Sequence, residues 1–339
     1  MKKSILMMMA IFIFGLLIVG CQGGNEEERA EANEQEDNEG NGENSVEGES
    51  DTFPVTIELD GNSIEIKEKP ERILPMSLDV AEIVLELVEP SRVVAIPKNA
   101  GNSVMSTQAE KAKEIENHVS SAVNIDPEEI LSYDTDLLLL TKVHGQEEDA
   151  SNVLSEVDLP TLFFNSVQTV EAFMQRVELI GKAVGETEKA VEVTNRLASD
   201  AESIQKKIPD GDTPPSVLVL SEVGTGTGPF MLGPTNISYD IIQLAGATPA
   251  IDSINLQSST PASIEQVLQM DPDYIFLLDF TGVGEEVYED LMGAPGWDTL
   301  TAVQNNNLKV LDVKYLMNPN VDVIEGLDIM VDWIYELEE

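Results

Sequence analysis

Hydrophobic and polar positions change pattern several times along the chain. Ile5 to Val19 form an almost unbroken apolar run behind Lys2 and Lys3, short for a bilayer span. Residues 22–52 carry almost nothing apolar. From Phe53 a strict alternation begins: Phe53, Val55, Ile57 and Leu59, then Asp60-Gly61-Asn62, then Ile64 and Ile66. It predicts a β-hairpin. Arg72-Ile73-Leu74 leads into Ser77-Leu78-Asp79 and a helical stripe of Val80, Ile83, Val84 and Leu87. Ser77 and Asp79 there read as helix-capping residues. Arg92 to Ile96 predicts a strand stopped by Pro97. Leu137 to Leu140, introduced by a helical stretch from Pro127 to Leu131, predicts another, and Thr161 to Phe164 a third. Residues 161–208 contain no proline, and Ala190, Val193, Leu197, Ala201 and Ile204 recur at helical spacing up to Pro209. That is the longest predicted helix. After Pro214-Pro215 strands return at Val217–Leu220, Tyr274–Leu278 and Leu308–Val313, with helices near 239–245, 262–270 and 325–337.

Continuous apolar strands separated by helices indicate parallel sheets covered on both faces. The expected fold is α/β, with two Rossmann-like lobes built on parallel sheets and joined by one long helix. Its boundaries are 1–21 for a signal, 22–52 for an acidic tether, 53–168 for the N-terminal lobe, 169–208 for a bridging helical segment and 209–339 for the C-terminal lobe. Ligands of such sheets sit beyond the carboxyl ends of the strands, and a cleft between lobes adds a second wall.

Charge and composition narrow the function. The chain has 63 Asp and Glu against 19 Lys and Arg, a net charge of −44. That excludes nucleic acid and anionic lipid as bulk electrostatic partners. One Cys excludes an internal disulfide, and two His make a multi-His metal centre hard to build, so no metal ligands and no resident cofactor are expected. A receptor for bare zinc or manganese is disfavoured on the same ground. Residues 22–52 hold twelve acids and a single base, Arg29. Such a segment repels itself and stays extended as a tether. No Ser-His-Asp arrangement in a strand–turn–helix setting, nucleotide loop or zinc motif is found, so an enzyme is not expected. Gly224-Thr225-Gly226-Thr227-Gly228 lacks a phosphate-binding pattern and reads as a mobile loop at the cleft.

Two resemblances sharpen this. The basic residues, the apolar run and Ile18-Val19-Gly20-Cys21 resemble a bacterial lipoprotein signal with its lipobox. This implies that Cys21 carries the lipid, commonly with palmitate, and becomes the mature N-terminus on the extracytoplasmic face of the cell membrane. Residues 53–339 resemble the solute-binding lipoproteins of iron-siderophore, haem and cobalamin importers. The resemblance rests on Lys69-Pro70-Glu71-Arg72-Ile73, Ala81-Glu82-Ile83, Asn124-Ile125-Asp126-Pro127-Glu128-Glu129-Ile130 with Asp134-Thr135-Asp136-Leu137, Ser238-Tyr239-Asp240 through Leu244-Ala245-Gly246-Ala247, Ser263-Ile264-Glu265 with Asp271-Pro272-Asp273, and Pro295-Gly296-Trp297 with Ala302-Val303. It implies a monomeric binding protein, lobes that move little about a single stiff helix, and an ABC permease with its ATPase as partners. It also implies an acidic docking residue on each lobe; Glu82 matches in the N-terminal lobe and Asp240 most nearly in the C-terminal one.

The basic residues add a clue of their own. From 209 to 339 only Lys309 and Lys314 face 22 acids. Lys314 follows the strand Leu308–Val313, Lys98 the strand ending at Ile96, and Lys142 the strand Leu137–Leu140. Three lysines at strand carboxyl ends would suit an anionic ligand such as a ferric siderophore. Phe230, Phe280 and Tyr315 are candidates for an apolar wall, alongside Met76, Asn165 and Asp279 at other strand ends. His144, two residues past Lys142, is a candidate contact to a metal complex. Haem would call for His144 or a Met as axial ligand, and cobalamin for an aromatic-lined cleft. Ligand capture by a lipid-anchored binding protein is therefore the expected function, with ferric siderophore as ligand, haem or cobalamin as the alternative, and a lipid-anchored enzyme as the weakest reading.

Overall fold

A computed structural model describes residues 51–119, 127–142, 159–211 and 213–337. The expectations for Cys21, for His144 and for the segment from Asn124 to Asp126 lie outside the described residues. These described residues belong to one compact unit.

The hairpin forms where the alternation placed it: β1 (Val55–Leu59) pairs antiparallel with β2 (Asn62–Ile66). Asp60 and Gly61 both take positive φ, 51° and 79°, the backbone a two-residue hairpin turn requires. Ile57 and Ile66 point into the core while Glu58 and Glu65 face solvent. The N-terminal lobe continues with β3 (Ile73–Pro75), α1 (Leu78–Leu87), β4 (Ile96–Pro97), α2 (Ala109–Ala112), β5 (His118–Val119), α3 (Pro127–Ser132), β6 (Leu137–Thr141), β7 (Thr161–Phe164) and α4 (Val170–Val184). Strands β3, β6 and β7 form a parallel sheet in that order, with β4 and β5 as a separate parallel pair. Leu137 to Leu140 are all fully buried, as a strand covered on both faces demands. The strand expected from Arg92 is shorter. Pro90–Arg92 is a 3₁₀ turn, and the Arg92 guanidinium donates to the Pro70 and Val184 carbonyls and to Glu186 instead of extending a ladder.

The segment expected as a single bridge, 169–208, is two helices. Helix α4 ends at Gly185, which takes the left-handed conformation and packs beside Phe53 and Lys69. Helix α5 (Thr187–Gln205) then begins, and it alone joins the lobes. Near its start Lys189 donates to the Leu87 carbonyl, and further on Arg196 pairs with Glu86. Just past its end Lys207 reaches Asp328 and Asp332 of the other lobe.

The C-terminal lobe contains β8 (Ser216–Ser221), β9 (Phe230–Met231), α6 (Ile237–Leu244), β10 (Thr248–Pro249), β11 (Thr260–Pro261), α7 (Ile264–Met270), β12 (Tyr274–Asp279), α8 (Glu289–Met292), α9 (Thr301–Gln304), β13 (Leu308–Asp312) and α10 (Val323–Ile334). Its sheet runs β11-β9-β8-β12-β13, with β10 beside the start of β8. Strands β8, β10, β12 and β13 are parallel, whereas β9 runs antiparallel to both of its neighbours, β8 and β11. The expected all-parallel sheet is thus mixed at one edge, because the connection from β8 to β9 is too short for a helical crossover. One apolar core runs without a break from Val80, Val84 and Phe173 to Val219, Phe276 and Val331, through both lobes.

Candidate functional site

Helix α1 starts immediately after β3, so Ser77 sits at a strand carboxyl end and at a helix N-terminus at once. Its side chain makes no capping bond; its hydroxyl accepts the Thr141 N–H at 3.0 Å, tying the end of β6 to the start of α1. From the other lobe, α6 opens on Asn236, whose side-chain oxygen caps the Ser238 N–H. Both helix starts face a cavity of about 270 Å³ between the lobes. Its described lining is Ser77, Leu78, Asp79, Thr141, Ser166 and Val167 on one side, and Thr235, Asn236, Met317, Asn318 and Pro319 on the other. Hydroxyls, amides and two helix N-termini, each carrying a partial positive charge, surround it.

Asp79 is the one ionisable group in that lining, and it is paired. Its Oδ2 accepts from Thr141 Oγ1 and from Arg176 Nη1, each at 2.6 Å. Arg176 lies on α4, 8% exposed, with its guanidinium 4.9 Å from the centre of the Phe164 ring and its Nη2 donating to the Asn165 carbonyl. Burial pulls its pKa down, opposed by the Asp79 charge. Three strand ends are thereby tied by one guanidinium and one carboxylate.

The lobes touch beside the cavity. The Lys314 N–H donates to the Val104 carbonyl at 3.3 Å, Asn318 Nδ2 to the Met105 carbonyl at 3.0 Å, and the Val170 N–H to Asp240 Oδ2 at 2.8 Å. Two loops of the C-terminal lobe fold around the carboxylates that end or follow their strands. Asp279 accepts four backbone N–H groups, from Thr281 to Gly284. Glu222 accepts from the Gly226 N–H at 2.9 Å, within the glycine-rich segment.

The residues singled out by sequence take other positions. Lys98, Lys142 and Lys314 are not among the described lining residues. Lys98 is exposed on a 3₁₀ turn. Lys142 is exposed, its ammonium 5.6 Å from the Phe163 ring centre. Lys314 sits over the Tyr315 ring at 5.0 Å, with Asp312 and Asp322 close enough for it to oppose the burial that raises their pKa values. Phe280 and Tyr315 are half-buried against the continuous core, and Phe230 is a half-buried residue of β9, bonded between Ser221 and Pro261.

The two expected docking carboxylates are also committed elsewhere. Glu82 is 3% exposed. Its oxygens accept from the Ser106 hydroxyl and from the N–H and hydroxyl of Thr107, and burial raises its pKa. Asp240, half-buried with its pKa also raised by burial, caps α4. Glu82 is thereby enclosed, whereas Asp240 keeps part of its surface open. Ser77 and Asp79, which the sequence marks as helix-start residues, are among the described lining.

The family model for periplasmic binding protein matches residues 75–315, which span both lobes and the bridge. The chain belongs to the periplasmic binding protein family. Members of this family are solute-binding proteins and not enzymes. Over 337 residues the chain is 22% identical to an uncharacterized ABC transporter substrate-binding lipoprotein, YvrC, of Bacillus subtilis (strain 168), covering 99% of this chain and 98% of that one. Among solved structures, the periplasmic heme-binding protein RhuT from Roseiflexus sp. RS-1 in apo form matches with a TM-score of 0.66 at 21% identity, over 78% of this chain and 98% of its own. An ABC-type Fe3+-hydroxamate transport system protein from Saccharomonospora viridis DSM 43017 matches with the same score and identity, over 84% and 99%. At that identity the likeness of the solved structures concerns the fold. Among the described residues no helix is long and apolar enough to cross a membrane, and no cluster of His, Cys, Asp and Glu suited to a metal ion is found.

Proposed function

We propose that the chain is the lipid-anchored receptor of an ABC importer, that it captures a ferric siderophore in the inter-lobe cleft, and that it hands the chelate to a permease driven by an ATPase. The observation that carries the reading is the convergence of two helix N-termini, one from each lobe, on a cavity ringed by hydroxyls and amides. Their partial charges favour an anionic or electron-rich ligand without a lysine in contact. Anchoring through Cys21 on the extracytoplasmic face and a monomeric state belong to the same proposal. The relative named as a substrate-binding lipoprotein, and the solved relative named for Fe3+-hydroxamate transport, support it. Haem is the second reading: a solved relative is a heme-binding protein, and Met317 is among the residues lining the cavity.

Calorimetric titration of the full chain in mild detergent with ferric catecholate, ferric hydroxamate, haem and cobalamin tests it. A ferric siderophore is expected to bind more tightly than about 10 μM, equivalent to about −7 kcal/mol. Binding of haem or cobalamin alone would replace the ligand, and no heat from any of them would overturn the reading.

A further inference from the structure

The Asp79–Arg176 pair has a consequence for what the cleft accepts. Asp79 is the one ionisable residue in the described lining of the cavity, and its side chain is 15% exposed. Left alone, a carboxylate there would oppose the two helix N-termini and repel an anion. Arg176 is fixed beneath it by three constraints: Asp79 Oδ2 at 2.6 Å, the Asn165 carbonyl, and the Phe164 ring under the guanidinium. Thr141 Oγ1 bonds the same carboxylate oxygen from β6. Lys142, the nearest base in sequence, turns its ammonium towards the Phe163 ring and is exposed, so no second cation is shown on Asp79.

We propose that Arg176 is a positioning and specificity-determining residue, which cancels the Asp79 charge at the cleft floor and so sets the ligand preference towards anions. This rests on the reading of the cleft as the chelate site. Arg176 acts through Asp79 and touches no ligand. Removing either partner leaves the other charge uncompensated in a poorly solvated place, where its effect across several ångströms reaches the ligand.

The test uses two chelates of opposite charge, a trianionic ferric tris-catecholate and the monocationic ferrioxamine B, and reads the ratio of their dissociation constants by calorimetry on the full chain. Asp79→Asn keeps shape and acceptor but leaves Arg176 unpaired; it is expected to shift the ratio towards the anion by about tenfold. Arg176→Met leaves Asp79 unpaired and is expected to shift it about tenfold the other way. A purely structural role would weaken both chelates in parallel and leave the ratio unchanged, which would overturn the proposal. Should Arg176→Met fail to fold, the near-isosteric Asp79→Asn decides alone. Wild-type protein that binds neither chelate would overturn the functional reading and this inference with it. Wild-type binding with an unchanged ratio would overturn this inference only.

Discussion

Glu82 illustrates how a surface-type residue acquires an internal role. It lies on α1 in a stretch whose other residues are largely apolar, and folding carries it 97% out of solvent contact, facing the 106–108 backbone. Its carboxylate holds Ser106 and Thr107, and the same loop offers Val104 and Met105 to the other lobe. Burial raises its pKa above the ordinary 4.5, against the opposing pull of these hydrogen bonds. A carboxyl whose folded pKa is raised favours the folded state most when protonated, and that stability is lost as pH rises above the ordinary carboxyl value. Glu82→Gln removes the titration, and a rotated amide can still accept from Thr107 and donate to Ser106. Thermal unfolding of the two proteins from acid to neutral pH is expected to show wild type losing ground to the Gln variant as pH rises. Glu82→Ala strands the Thr107 N–H in a part-buried place and is expected to cost about 1–3 kcal/mol at acid pH, and less as pH rises.

At the scale of elements, periodicity carried most of the fold. The β1–β2 hairpin, the Leu137–Leu140 strand, β8, β12, β13 and the long bridging helix all stand where apolar spacing put them. The failures have local causes. The bridge divides because Gly185 closes α4 in a left-handed cap, and no proline announced it. The antiparallel pairing of β9 with β8 and β11 was not expected because strands of two residues leave hardly any periodic signal. The site was less legible than the fold. Strand-end position located Lys98, Lys142 and Lys314, but position does not fix the direction of a flexible side chain, and two of those ammonium groups lie over aromatic rings. Ser77 and Asp79 read as helix caps and Asn236 is not singled out, because a polar residue at a helix start has the same sequence pattern whether or not it also lines a cleft. One packing contact ties an element directly to the rim. A Cβ on Gly326, in the first turn of α10, would fall 2.0 Å from the Tyr315 carbonyl oxygen. Gly326→Ala must therefore move α10 or the Val313–Tyr315 turn. A loss of about 1–3 kcal/mol in chemical denaturation, together with weaker chelate binding, is expected.

Over the whole molecule, acidity and anion preference are compatible because they act at different places. The net charge of −44 is spread over 339 residues, whereas the described lining of the cleft contains a single carboxylate, and that one is neutralised by Arg176. Contacts such as Lys314–Val104 and Asn318–Met105, a continuous core and one bridging helix limit how far the lobes can separate. A volume of about 270 Å³ lies just below the ordinary range for ligand pockets, so the proposed chelate would need a small opening at those contacts. A larger groove of about 570 Å³ lies between α5 and α10; Asp200, Asp322, Glu325 and Asp328 line it together with Arg196 and Lys207, and because both cations are already paired with carboxylates the groove disfavours an anion. The crystal structure of the chain with a bound ferric tris-catecholate tests the account most directly. The account predicts the chelate between the lobes, its anionic oxygens within hydrogen-bond reach of the helix starts at Ser77 and Asn236. A chelate seated in the α5–α10 groove, or elsewhere outside the cleft, would contradict it.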